Sequence, residues 1–220
     1  MNYASLLEYL FERKDDNYAS FSKRISNSTY QCIGVRTPIL RNVIKEHYQD
    51  EDLKLEDFEH HNYLEVDSIY FGVGLLRCKN IDEQLQFLYD NLQYASSWII
   101  TDTLGNYMKK CSFEKFWEFF LNTYQNKHLY TRRFAYVFAI KFSHDEEIIK
   151  IFAYIKQNEE YMVTMAEAWL LSFIAIDYPD EVFTYLQNSG SLALKRKTIS
   201  KICDSFRFDE SEKERFKSLR

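Results

Sequence analysis

Apolar residues recur along this chain at intervals of three and four, and alternation of apolar with polar residues is almost absent. Leu6, Leu7, Leu10 and Phe11 make one helical stripe, and Tyr18, Phe21 and Ile25 make the next. Thr37 and Pro38 read as an N-cap with proline at the first helical position, ahead of Ile39, Leu40, Val43 and Ile44. Further helices are predicted over 63–79, 82–92, 97–110, 113–125, 129–142, 146–157, 160–175, 179–188, 192–206 and 210–219. Asp209 and Glu212 have the spacing of a capping box for the last of these. Short polar loops separate the segments, with a period of about 35 residues, near the range of helical repeats. The pattern predicts an all-α chain built as a stack of two-helix repeats. Since no linker rich in Pro, Gly or Ser interrupts it, residues 1–220 read as a single α-helical repeat domain.

Composition sharpens this picture. Five Gly and two Pro in 220 residues are too few for the turns of an all-β fold. With 46% hydrophobic and 28% charged residues the chain belongs with globular proteins, so a disordered or collagenous class is excluded. Cys32, Cys78, Cys111 and Cys203 lie far apart with no C-x-x-C pair. They suggest neither a zinc ribbon nor a disulfide framework and read as buried free thiols in a reducing cytoplasm. The first 16 residues are amphipathic rather than a signal sequence, and the most apolar run, 169–176, is too short to span a bilayer. No membrane association is expected.

The net charge of −5 argues against a general nucleic-acid binder, but charge is unevenly placed. Acidic residues crowd 50–59, 82–90, 145–147 and 177–181, and basic ones cluster at Lys109-Lys110, Arg132-Arg133 and Lys195-Arg196-Lys197. A solenoid with an acidic outer face and a basic inner groove gives these totals.

Several residues could carry chemistry, each with a plainer alternative. Cys32 to Pro38 is loop-like, with Gly34 placed for a tight or left-handed turn and Arg36 either presented ahead of a helix or paired locally. Ser96-Ser97 supplies an N-cap for a helix on which Trp98 and Asp102 share a face; alone, such a pair reads as a core ring and a solvated acid. Arg132 and Arg133 point about 100° apart on their helix, so at most one faces a groove. A guanidinium there could bind phosphate, or pair with a carboxylate. Trp169, flanked by Ala166 and Ala168, could serve a groove or the core. Lys195, Arg196, Lys197 and Lys201 look like a phosphate-binding stretch or a solvated face.

Read in order, these segments resemble the DNA alkylation repair enzyme family, the AlkD-like DNA glycosylases. The likeness runs through Ile33-Gly34-Val35-Arg36, Pro38, Leu40-Arg41, Ser97-Trp98, Asp102, Arg132-Arg133-Phe134-Ala135, Met165-Ala166, Ala168-Trp169, Leu171-Ser172, Lys195-Arg196-Lys197 and Lys201-Ile202. Their order and spacing carry it more than any single piece. It implies an all-α solenoid of HEAT-like antiparallel helical repeats with a concave groove for duplex DNA containing alkylated bases. It also implies removal of cationic purines such as 3-methyladenine and 7-methylguanine, leaving an abasic site. Asp102 matches the catalytic carboxylate, Trp98 and Trp169 the groove tryptophans, and Arg133, with Arg132 as the alternative, the groove arginine. DNA contacts are expected from Arg36, Lys109, Lys110, Arg132, Lys195, Arg196, Lys197 and Lys201. No cofactor and no metal is implied. The expected protein is a monomer of the bacterial cytoplasm, associated with the nucleoid when bound to DNA.

The chemistry suits these residue types. An N-alkylated purine is already cationic and leaves as a neutral base, so no general acid is required. The enzyme must stabilise an oxocarbenium-like sugar, which a fixed carboxylate does while positioning water. Tryptophan faces favour cationic over neutral nucleotides. Glu167, two residues before Trp169, and Ser172 depart from a strongly basic groove. They leave open two alternatives, a DNA-structure-binding protein without catalysis and a protein–protein scaffold.

Overall fold

In a computed structural model that describes residues 1–60, 62–155 and 160–220, the chain is all-α. Its contacts gather into two compact units, residues 1–111 and 112–220.

The first unit holds α1 (Tyr3–Glu12), α2 (Asp16–Ser26), α3 (Thr37–His47), α4 (Leu64–Arg77), α5 (Ile81–Asn91) and α6 (Trp98–Leu104). Nearly every residue of α4 from Leu64 to Leu75 is buried, so it forms the unit's central helix, packed on α3, α5 and α6. At Gly74 a Cβ would stand 2.2 Å from the Phe87 ring, so only glycine admits α5 at this distance. The second unit holds α7 (Phe113–Thr123), α8 (Leu129–Ala139), α9 (Tyr161–Ile174), α10 (Pro179–Asn188), α11 (Leu192–Asp204) and α12 (Glu210–Lys217). Here α7 packs on α8, α8 on α9, α9 on α11 and α11 on α12, a succession of stacked helices of the HEAT-like kind. Phe116, Phe119, Phe120, Phe134 and Phe138 fill the α7–α8 layer with edge-on and tilted ring contacts. None of the helices is long and apolar enough to cross a membrane among the described residues.

Local signals set most boundaries. The capping box of Asp209 and Glu212 forms at α12, and Ser97 caps α6. Three expectations need correction. Thr37 is the first residue of α3 rather than its cap; Arg36 occupies the cap position without a side-chain capping bond. The helix predicted over 97–110 stops at Leu104, because the side chain of Gln84 captures the following loop. Its amide donates to the carbonyls of Leu75 (2.7 Å) and Tyr107 (3.0 Å) and accepts from the Lys109 N–H (2.7 Å). The segment predicted over 146–157 is a 3-10 helix, Glu146–Ala153, whose buried Ile148 and Ile151 are spaced for three residues per turn. The last two positions of that prediction, 156 and 157, lie outside the described residues. No disulfide joins the four cysteines, which are only half-buried.

The stripe of α2 also faces unexpectedly. Ser22 and Ser26 are its buried residues, while Phe21 and Ile25 are 44% and 37% exposed. Near the start of α2 the packing is tightest at Gly34, at φ +95°, where a Cβ would stand 2.2 Å from the Asp15 carbonyl and 2.9 Å from the Ala19 nitrogen. The loop at Gly34 presses on the first turns of α2 so closely that only glycine fits there.

Candidate functional site

In the first unit, Trp98 and Asp102 stand one turn apart on α6 and both are half-buried. The start of α6 is fastened to the end of α2. A helix leaves its last carbonyls without intrahelical partners. Here the Ser97 hydroxyl donates to the Ser26 carbonyl at 2.8 Å and the Trp98 indole N–H to the Ile25 carbonyl at 2.9 Å. The Ser28 and Ser96 hydroxyls meet at 2.7 Å. The indole is therefore aimed by the backbone of α2, and Asp102 sits one turn further on. The Thr101 hydroxyl lies 3.3 Å from the Asp102 carboxylate.

The outward face of α2 extends this surface. The Tyr18 and Phe21 rings stack at 6.2 Å, and the Arg24 guanidinium lies 5.8 Å from the Phe21 ring. Arg36 stands 4.4 Å over Tyr18 and pairs with Asp15 at 3.0 Å. The Tyr18 N–H and then Arg36 hold the Asp15 carboxyl below the usual carboxylate range. Arg36 is thus both exposed and locally paired. Behind it, the buried Glu65 carboxylate accepts the N–H groups of Ile33 (3.0 Å), Gly34 (2.8 Å) and Val35 (3.3 Å).

In the second unit, α9 is buried on most of its circumference; apart from Met162, its incompletely buried residues step along one line as Tyr161, Met165, Trp169 and Phe173, and Ile176 follows just beyond its end. A cation lies against three of these rings. Lys197 stands 5.3 Å from Tyr161, Lys201 5.6 Å from Trp169, and Arg207, just beyond α11, 4.8 Å from Phe173. The result is a ladder of alternating rings and positive charges along the α9–α11 seam. A cavity of about 260 Å³ opens at its end, lined by Trp169, Ser172, Phe173, Lys201, Asp204 and Arg207 among others.

The remaining predicted residues are more dispersed. Arg133 is buried and donates to the Met162 carbonyl, tying α8 to the first turn of α9. Arg132 is nearer the surface and pairs with Glu160 at 2.6 Å, while its Nε is buried with no hydrogen-bond partner among the described residues. The His128 imidazole, which caps α8, is pushed down in pKa by burial and then by Arg132. Lys109 and Lys110 are exposed on the loop held by Gln84, and Arg196 is exposed on α11 with Lys195 half-buried beside it. Glu167 corrects an expectation: it is fully buried rather than set on the surface beside Trp169. Burial first, and the Glu167 charge second, raise the phenols of Tyr136 and Tyr185, the latter to about 12. Ser172 is buried too, with its hydroxyl on the Trp169 carbonyl at 2.7 Å.

The first unit thus brings Trp98 and Asp102 together beside the face of α2 that leads to Arg36. The second brings Trp169 together with Lys197 and Lys201. Phe21, Arg24, Tyr161, Phe173 and Arg207 were not singled out from the sequence. The spacing of Tyr161, Met165, Trp169 and Phe173 in fours, matched by Lys197 and Lys201 four apart, is the signal that exposes the ladder. Among the described residues no group of three or more His, Cys, Asp or Glu is placed to hold a metal ion.

A family model described as DNA alkylation repair enzyme matches residues 6–202. No curated protein matches the chain. Among solved structures, a predicted DNA alkylation repair enzyme from Enterococcus faecalis is similar, with a TM-score of 0.66 at 16% identity. The match covers 88% of this chain and 98% of that one.

Proposed function

This chain belongs to the DNA alkylation repair enzyme family, and from that premise we propose that it is a DNA glycosylase for cationic N3- and N7-alkylated purines in duplex DNA. The observation that carries the reading is the pairing of Trp98 and Asp102 on one face of α6, fixed to α2 through Ser97 and the indole N–H. A carboxylate held that firmly pays little reorganisation cost when positive charge develops beside it.

In the proposed reaction the bond between the sugar C1′ and the purine nitrogen breaks, and its electron pair neutralises the departing base. Positive charge passes to the sugar, where Asp102 stabilises it. Water then adds to C1′ and loses a proton, leaving an abasic site. Trp98 presents a ring to the cationic nucleotide. The cations of both units, Arg24 and Arg36 in the first and Lys197, Lys201 and Arg207 in the second, suit phosphates of the backbone, which contribute affinity without reading sequence. Of the arginine pair, Arg132 is the one a phosphate could recruit by displacing Glu160. Arg133 acts as a positioning residue for α9.

The test is release of base from duplex DNA containing 7-methylguanine. The expected result is release by the wild type, slowed about 100-fold or more by Asp102→Asn. No release by the wild type rejects the glycosylase reading, and equal release by both removes Asp102 from catalysis. Salt-dependent duplex binding without release would select a DNA-binding protein that does not excise.

A further inference from the structure

Phe206 is 103% exposed, well above any other large apolar side chain among the described residues. It stands in the turn between α11 and α12. That turn is fixed on both sides: Ser205 caps α11 and accepts the Arg207 N–H at 3.2 Å, and Phe208 is buried, 6.4 Å from the Phe216 ring. The ring of Phe206 is therefore held out on a short, anchored turn. Its neighbours Ser205 and Arg207 line the cavity at the end of the cation–aromatic ladder, together with Lys201 and Trp169.

We propose that Phe206 is a wedge that enters between adjacent bases of duplex DNA, while Lys201 and Arg207 hold the phosphates beside that step. The proposal rests on the reading that the α9–α11 ladder binds DNA. Nucleic acid offers flat rings and anions in close alternation, the complement of a fully exposed phenyl group set beside two cations. Apolar side chains inserted at a base step unstack it and bend the duplex, which brings more phosphates onto the protein. DNA phosphates, unlike an apolar partner surface, would also pair with Lys201 and Arg207 beside the ring.

The experiment uses the whole chain and duplexes carrying 2-aminopurine at successive positions, with affinity followed by anisotropy over a range of salt. The wild type is expected to raise 2-aminopurine emission at one step. Phe206→Ala should abolish that rise and weaken binding about 10-fold, leaving the salt dependence unchanged. Phe206→Trp should restore both, with quenching of its own emission. By contrast, Lys201→Gln should reduce the salt slope by about one. Unaltered 2-aminopurine emission and affinity in Phe206→Ala would overturn the wedge while leaving DNA binding intact. Absence of any salt-dependent duplex binding by the wild type would reject the ladder as a DNA surface and the wedge with it. Self-association that Phe206→Ala abolishes, with DNA binding unchanged, would assign the ring to a second copy instead.

Discussion

The two units carry similar surfaces, rings set against cations, but mount them differently. In the first, side-chain hydrogen bonds to backbone fix the geometry: Glu65 to three amides, Ser97 and Trp98 to the last carbonyls of α2. In the second, α9 is wedged between α8 and α11, and its exposed line of rings is what burial leaves over. A surface aimed by hydrogen bonds suits the placing of one carboxylate to within about 0.5 Å, as a reaction centre requires. A surface aimed by packing is a tolerant platform, as backbone binding requires. Under the proposed glycosylase function, this difference suits the first unit to chemistry and the second to grip.

The severest test of this contrast is Glu65→Ala, which strands three buried N–H groups. A loss of about 3 kcal/mol or more is expected in urea unfolding followed at Trp98, in a variant whose other tryptophans are replaced by phenylalanine. A loss under about 1 kcal/mol would mean that packing, not the carboxylate, sets the loop at Gly34. Next comes Ser97→Ala, which removes a helix cap and a bond to α2, for about 1 kcal/mol of stability. Base release should fall with it even where the protein is fully folded, since Trp98 and Asp102 lose their fixed origin. Unchanged release would show that the indole bond alone aims α6.

The smallest effect is a pH effect and belongs to the second unit. Tyr136 and Tyr185 have raised pKa values, so the folded state favours their protonated forms. That contribution is complete below the ordinary phenol value near 10 and is lost as pH climbs from there through the folded values, the loss amounting to about 0.4 kcal/mol per tyrosine by pH 10. Glu167→Gln should move the tyrosinate absorbance edge of this pair to lower pH. Tyr30 and Tyr70 of the first unit, also raised to about 12 by burial first but with Asp67 or Tyr94 rather than Glu167 as the next cause, should not move. An edge that stays put would show burial alone to be responsible.

What could be read from the sequence was what neighbours in sequence decide. The capping box at Asp209, the cap at Ser97 and the sharing of a face by Trp98 and Asp102 depend on a few consecutive residues. Periodicity showed that α2 has an apolar stripe but not which way it points, because that depends on what packs against the helix from elsewhere in the chain. Glu167 read as a surface acid for the same reason; its burial depends on Tyr136 and Tyr185, far away along the chain. Arg132 and Arg133 are adjacent in sequence and opposite in fate, and only the position of α9 separates them.

The loop at Gly34 holds one more consequence. Three successive amides converging on a point are the geometry with which proteins catch phosphate or sulfate from solution. In this chain the catch is already occupied from within: the Glu65 carboxylate is the anion, built in and buried. A stretch that looks like a phosphate loop by its glycine is therefore closed to external ligands, and whatever DNA meets there it must meet through the arginine on the outside.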